Sequence, residues 1–259
     1  MRLTLLGTGT SYGVPVIACS CGVCTSDNPR NKRLRSSAFV EVVGRHFLID
    51  TAPELRLQAL RSGLTRVDAV FYTHYHADHV NGLDDLKAFN AVLQGPLPCF
   101  GNRSTEAMLR GRFDYAFAGT PYVGAIPHIT FRSVEEPFDA LGVPVTPVPL
   151  QHGRIEATGW RIGRAAYLTD CNGIAPASMA LLGGLELLVI DALRPRPHPT
   201  HFCISEAIEV ARQLRPERTL LTHLTHDVDD AAISAELPPG VELAYDGLVI
   251  ELDDPIAKR

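Results

Sequence analysis

Residues 73 to 79 read Thr73-His74-Tyr75-His76-Ala77-Asp78-His79. A chain that sets three imidazoles and a carboxylate this close together has to fold around something that takes up their lone pairs. Imidazole suits zinc, iron or manganese, and an interleaved carboxylate completes the coordination of a neighbouring ion. A run this dense points to two metals rather than one. It directly follows the apolar stretch Ala69-Val70-Phe71-Tyr72, which reads as a strand. The ligands therefore stand where a strand ends and a loop begins.

The rest of the chain repeats that arrangement. Strands are expected at Leu3 to Leu6, Ser37 to Val43 and Arg45 to Ile49, then at 143 to 150, 165 to 169, 186 to 191, 218 to 222 and 248 to 252. Helical spacing of apolar residues marks 53 to 62, 83 to 93, 176 to 182 and 203 to 214. Both halves run strands first and helices after. That order predicts an α+β chain, an αββα sandwich of two mixed sheets flanked by helices and open along one edge. Length and the lack of a linker-like segment predict one domain over residues 1–259. Residues 103 to 125 interrupt the rhythm, with Phe113, Tyr115, Phe117 and Tyr122 among glycines. A lid over a substrate, a homodimer contact and a local packing excursion are all open for them.

Four more candidates stand at or just past strand ends: Asp50, His152, Asp170 and His223. Taken singly, such residues are commonly caps or surface side chains. Aligned strands would bring all four to the edge that carries the 74 to 79 run, where loops on a rigid scaffold assemble sites.

A second cluster, Cys19-Ser20-Cys21-Gly22-Val23-Cys24, holds three thiols that want one further ligand. A Cys3His set closes a tetrahedral zinc site with no open position, a structural rather than catalytic arrangement. His226 is the candidate: one loop could send His223 into the active site and His226 towards the cysteines. The other three of the six cysteines, Cys99, Cys171 and Cys203, stand far apart and read as free thiols rather than a disulfide framework.

Taken together, Asp50, the His-x-His-x-Asp-His run, and then His152, Asp170 and His223 in that chain order closely resemble the metallo-β-lactamase superfamily. The resemblance implies that His74, His76 and His152 hold one ion and Asp78, His79 and His223 the other. Asp170 would bridge them, and Asp50 would stand behind the ligands. A carboxylate that accepts the second N–H of a ligand histidine fixes its tautomer and orientation. The cysteine cluster, preceded by Gly-Thr-Gly-Thr-Ser-Tyr-Gly-Val-Pro at 7 to 15, is similar to the branch containing phosphoribosyl 1,2-cyclic phosphate phosphodiesterase. In phosphodiesterase branches a histidine lies beside the leaving group, and His201 matches it. The implied catalytic residues are His201, Asp78 and Asp50; the implied cofactors are two divalent ions, zinc or manganese, and one structural zinc.

The implied activity is hydrolysis of a small phosphodiester, with a cyclic ribose phosphate or 2′,3′-cyclic nucleotide as first candidate. Two divalent ions lower the pKa of a shared water towards neutrality and neutralise the attacked phosphoryl group, while His201 protonates the departing alkoxide. A lactone or thioester hydrolase on the same ions is the alternative, because fold and metals do not select the electrophile. A non-hydrolytic role in cofactor biosynthesis is a second. A nucleic-acid polymer is not expected: the formal charge is -5, and the one basic cluster, Arg30, Lys32, Arg33 and Arg35, is short. It reads as a solvated loop or a guide for a small anion. Nothing approaches the ~18 apolar residues of a membrane span, so a cytoplasmic protein without membrane contact is expected.

Overall fold

The first three strand-like segments pair as an antiparallel meander, β1 (Arg2–Gly7), β2 (Ser37–Val42) and β3 (Arg45–Ile49). A two-residue turn, Val43-Gly44, closes the β2–β3 hairpin with φ of 50° and 71°, the doubly positive conformation that matches strand twist. In this computed structural model, which describes residues 1–117, 119 and 124–253, β4 (Ala69–Phe71), β5 (Leu97–Gly101) and β6 (Ile129–Ser133) then add in parallel beyond β3. The last strand, Val249–Glu251, pairs with the other side of β1 and completes a seven-stranded sheet.

The second half builds the same plan. β7 (Phe138–Ala140), β8 (Val143–His152), β9 (Ile155–Ile162) and β10 (Ala165–Leu168) are antiparallel. Beyond them, β11 (Leu187–Asp191), β12 (Arg218–Thr222) and β13 (Val241–Leu243) run parallel to β10. Each sheet is thus half meander, half parallel.

Three apolar clusters define the layers. Leu5, Val40, Phe47, Phe71, Trp160, Tyr167, Val189 and Leu220 interdigitate between the sheets, with the Phe71 and Trp160 rings 5.0 Å apart. A second cluster packs helix Ile204–Leu214 against the outer face of the second sheet through Ile204, Ala207 and Ala211. On the first sheet, Leu55, Leu83, Leu86 and Phe89 do the same from helix Leu55–Ser62 and the 83–93 segment. The architecture is the expected αββα sandwich. Among the described residues, no helix is long and apolar enough to cross a membrane.

Two local readings gain detail. The basic cluster at 30 to 35 is divided, with Arg30 and Lys32 exposed and Arg33 and Arg35 engaged in packing. Arg33 is buried and donates to Thr225 O and Asn31 Oδ1, Lys32 donates to Cys24 O, Arg35 pairs with Glu54, and Arg30 lies over the Tyr245 ring. The 103–125 stretch forms helix Arg103–Arg112 and a short turn whose Leu109, Ala116 and Phe117 are buried against the first sheet. Tyr122 lies outside the described residues.

Candidate metal centre and active site

Parallel pairing puts the carboxyl ends of β3 and β4 on one edge of the first sheet, and those of β10, β11 and β12 on one edge of the second. Two antiparallel steps from β10 bring the end of β8 to that edge as well. Asp50, Thr73, His152, Asp170, Asp191 and His223 therefore all emerge together. The two sheets are tied there by Thr158 N donating to Thr73 O at 2.8 Å. Asp50, Asp170 and His223 each have a positive φ, 60°, 53° and 62°. Non-glycine residues hold that conformation only when their surroundings impose it, and such residues cluster at functional sites.

The strand-end loop after β4 turns at once into the short helix Ala77–Val80, with His76 as its cap residue. That turn folds Asp78 and His79 back over His74, whose ring lies 4.3 Å from that of His79. The ligand atoms form two groups, each within 4.8 Å: His74, His76, His152 and Asp170 in one, and Asp78, His79, Asp170 and His223 in the other. Asp170 belongs to both. One of its oxygens lies 3.2 Å from His79 Nε2 and 3.1 Å from His223 Nδ1. The other lies 3.8 Å from His74 Nε2 and 3.9 Å from His152 Nε2.

Tautomers are set from behind. Buried Asp50 accepts from Thr73 N and Thr73 Oγ1, both at 2.7 Å, and from His79 Nδ1 at 2.6 Å. Thr200 O accepts from His152 Nδ1 at 2.7 Å. Each ring then presents the Nε2 lone pair to the site. The Nε2 atoms of His74 and His79 are buried yet make no hydrogen bond among the described residues. An unpartnered buried nitrogen is costly, and here two of them point at a shared carboxylate. Donors that converge without satisfying one another are the arrangement of ligands around cations, so the residues fit a pair of divalent ions.

The carboxylates and rings act strongly on one another. Burial would raise Asp170, but His223 and His79 outweigh it and hold the carboxyl well below its usual range. Burial would lower His79, but the Asp170, Asp78 and Asp50 carboxylates outweigh it and lift the ring well above its usual value. His223 is pushed down to about 3, chiefly by burial.

His201 stands beside this centre, its ring 4.7 Å from that of His152 and 5.0 Å from that of His223. Asp191, at the end of β11 and fully buried, accepts from His201 Nδ1 at 2.7 Å and from Cys171 N at 2.8 Å. Burial pushes Asp191 up to about 7 against the attraction of His201. Burial also pulls on His201, but Asp191 prevails and raises the imidazole above its ordinary value. Sequence reasoning missed Asp191, although its signal was present: it closes an apolar strand as Asp50 and Asp170 do. The His198 ring lies 5.2 Å from that of His201. His46 is held apart by Asp68, and Cys171 is a fully buried thiol. A cleft of about 710 Å³ opens over the site, walled by Ser11, Gln151, Asn172, Thr200 and the metal-facing side chains.

The fold brings Cys19, Cys21, Cys24 and His226 together. His226 Nδ1 lies 3.2 Å from Cys19 Sγ and 3.5 Å from the sulfurs of Cys21 and Cys24. The Cys24 N–H holds the Cys21 thiol down at about 6. The spacing and donor chemistry fit a closed zinc site. Between His223 and His226 the chain is anchored independently: Leu224 exchanges backbone bonds with Thr8 and Thr10 at 2.9 and 3.2 Å, and Thr225 N donates to Leu193 O. Replacing Cys24 by serine should therefore lower the melting temperature by about 5–10 °C and remove one zinc equivalent by elemental analysis, while turnover per folded molecule stays within about threefold. Unchanged zinc content would remove the structural site.

The sequence model of the β-lactamase superfamily domain matches residues 45–224. A solved structure described as a new diphosphatase from the PhnP family superposes with a TM-score of 0.91 at 42% identity, over 97% of this chain and 98% of that one. The chain is 38% identical to an octanoyltransferase of Porphyromonas gingivalis over 98% of its own length but 52% of that protein, so it spans about half of that relative. It is 29% identical to a ribonuclease Z of a Mycobacterium species, over 91% of this chain and 80% of that protein.

Proposed function

Because the chain belongs to the metallo-β-lactamase superfamily, and within it to the PhnP family, we propose that it is a metal-dependent hydrolase of small phosphodiesters, including cyclic ribose phosphates and 2′,3′-cyclic nucleotides. His74, His76 and His152 would hold one ion, Asp78, His79 and His223 the other, with Asp170 between them. A bound pair of divalent ions supplies an ionised water at neutral pH and neutralises charge on an attacked phosphoryl group.

The observation that carries the choice of electrophile is the His201–Asp191 pair. Asp191 holds Nδ1–H, which leaves His201 Nε2 to exchange a proton with the cleft, and its buried charge keeps the ring protonated to higher pH. A proton donor of that kind serves a leaving group that departs as a basic alkoxide, as in a ribose cyclic phosphodiester. Lactones and thioesters share the metal chemistry, and the 38% match to a protein named octanoyltransferase favours testing acyl substrates beside phosphodiesters. The relatives named ribonuclease Z support phosphodiester cleavage; the net charge of -5 favours small substrates over RNA.

The test is a panel at fixed metal loading: 2′,3′-cyclic nucleotides, a linear diphosphate diester, a 3′-extended transfer RNA, a lactone and an octanoyl thioester. The highest kcat/KM should fall on a small phosphodiester. A lactone or thioester leading by tenfold would overturn the reading.

A further inference from the structure

Leu3, Val40 and Phe47 point into the space between the sheets, so strand alternation sends Arg2, Glu41 and His46 to the outer face of the first sheet. Helix Leu55–Ser62 covers only part of that face. It packs near the carboxyl end of β1, where Gln58 donates to Arg35 O at 2.8 Å and a Cβ at Gly7 would meet Gln58 Nε2 at 2.6 Å. The helix then ends at Gly63, whose φ of 66° reverses the chain. Between this end and the last strand a bay of about 330 Å³ stays open. It shares no residue with the cleft over the metals and lies at the amino ends of β3 and β4, whose carboxyl ends lead into Asp50 and the 74–79 run.

Three arginines, Arg2, Arg61 and Arg66, line the bay against a single carboxylate, Glu41, on a chain whose formal charge is -5. Their commitments differ. Arg66 is held by Asp68 through Nε and a terminal nitrogen, both at 2.8 Å. Arg2 is shared loosely between Glu41 at 3.4 Å and Glu251 at 3.6 Å. Arg61 is exposed and makes no hydrogen bond or ion pair with any described residue. The Ser62 and Thr65 hydroxyls beside it are likewise without a partner among the described residues. One wall is rigid: buried Asp68 accepts from His46 N at 2.9 Å and from His46 Nδ1 at 3.0 Å, and the His46 ring stacks on Phe39 with centroids 6.0 Å apart. A free guanidinium and two free hydroxyls thus stand next to a fixed, flat surface.

We propose that this bay is a second binding site, remote from the metal centre, for a small phosphomonoester. Arg61 and the Ser62 and Thr65 hydroxyls would take the phosphate, and the His46 and Phe39 rings the sugar-sized remainder. Guanidinium matches phosphate in a paired, two-bond contact. A phosphomonoester carries a charge near -2 at neutral pH, whereas a diester carries one, so the surplus of arginine favours the monoester. Glu41 in the bay and Glu251 beyond Arg2 stand against a longer polyanion, and the volume lies at the small end of ligand sites. The proposed hydrolysis releases phosphomonoesters, but the site does not depend on that reaction and its test uses no turnover.

Ribose 5-phosphate is the probe, with ribose as control, and binding to the metal-loaded protein is followed by calorimetry. Two binding events per chain are expected, one at the metals and one in the bay. Losing a charged hydrogen-bonding partner typically changes binding by about 10- to 100-fold, so Arg61→Gln should weaken one event at least tenfold and leave the other within twofold. Arg61 is exposed, so the variant should melt as the native protein does. Hydrogen exchange locates the events: ribose 5-phosphate should slow exchange across residues 61–66 in the native protein and not in Arg61→Gln, while any slowing around the cleft persists in both. A single event indifferent to Arg61→Gln, unchanged exchange at 61–66, equal slowing there by ribose, or equal weakening of both events would overturn the proposal.

Discussion

Replacing Asp170 by alanine should reduce hydrolysis by at least about 10³-fold with the sheet content intact. The loss should exceed the 10²–10³ typical of removing one hydrogen-bond donor from a charge-stabilising site. Among the described residues Asp170 is the one carboxylate that belongs to both ligand groups, 3.2 Å from His79 Nε2 and 3.8 Å from His74 Nε2. Its positive φ and the bond from Thr169 Oγ1 at 2.8 Å hold it in that position. Alanine would leave His79 and His223 buried without the charge that pairs them, so bound metal should fall and thermal stability with it, since a ligand that binds only the native state stabilises it by mass action. Turnover, elemental analysis and circular dichroism on one preparation separate these effects. Near-normal turnover at full metal loading would show that the two groups do not work as one centre.

The second large effect belongs to His201. General acid catalysis is worth about 10² to 10⁴ in rate, so His201→Ala should slow a 2′,3′-cyclic nucleotide by that range. A nitrophenyl phosphodiester, whose phenolate leaves without a proton, should suffer far less. Equal deficits would mean that His201 only positions the phosphate. The pH profile gives an independent check. Asp191 raises the His201 pKa, so the protonated acid persists to higher pH, and activity on the basic leaving group should fall as pH rises through that raised value. Asp191→Asn removes the charge, and the alkaline limb should move to lower pH. A limb that stays in place would assign it to another group.

Why so much of the site was legible in sequence lies in its construction. His74, His76, Asp78 and His79 are close in sequence because a strand end followed by one short helical turn suffices to aim them. Asp50, His152, Asp170 and His223 each end an apolar segment, and a sheet with parallel pairing turns that local regularity into a shared edge. Cys19, Cys21 and Cys24 are local, and His226 was reachable because it lies three residues from His223. Asp191 carried the same strand-end signal, but its pairing with His201, which lies in the connection that follows β11, is set by how that connection folds rather than by spacing.

The strands that sequence did not reveal were those whose pattern is broken by their place in the sheet. β5 contains Pro98, and β9 carries Gly159, where a Cβ would meet Leu168 Cδ2 at 2.4 Å, so packing of the neighbouring strand rather than β propensity chose the residue. β6 alternates, with Arg132 and Thr130 on its exposed positions, but is short. The 83–93 helix was expected as one piece and instead begins as a 3-10 turn, Leu83–Leu86, before helix Lys87–Leu93. Gly82 packs there directly against Ala52 O, which fixes the approach of the segment to the Asp50 loop.

The most direct measurement of the central claim is a metal add-back titration. Protein stripped of its active-site ions but retaining its thiolate-bound zinc is titrated with zinc or manganese while hydrolysis of a 2′,3′-cyclic nucleotide is followed. Activity should rise to a plateau at two equivalents per chain, and the Asp170→Ala protein should show no such rise. A plateau at one equivalent, or no hydrolysis with both sites filled, would contradict the account of a paired-metal phosphodiesterase.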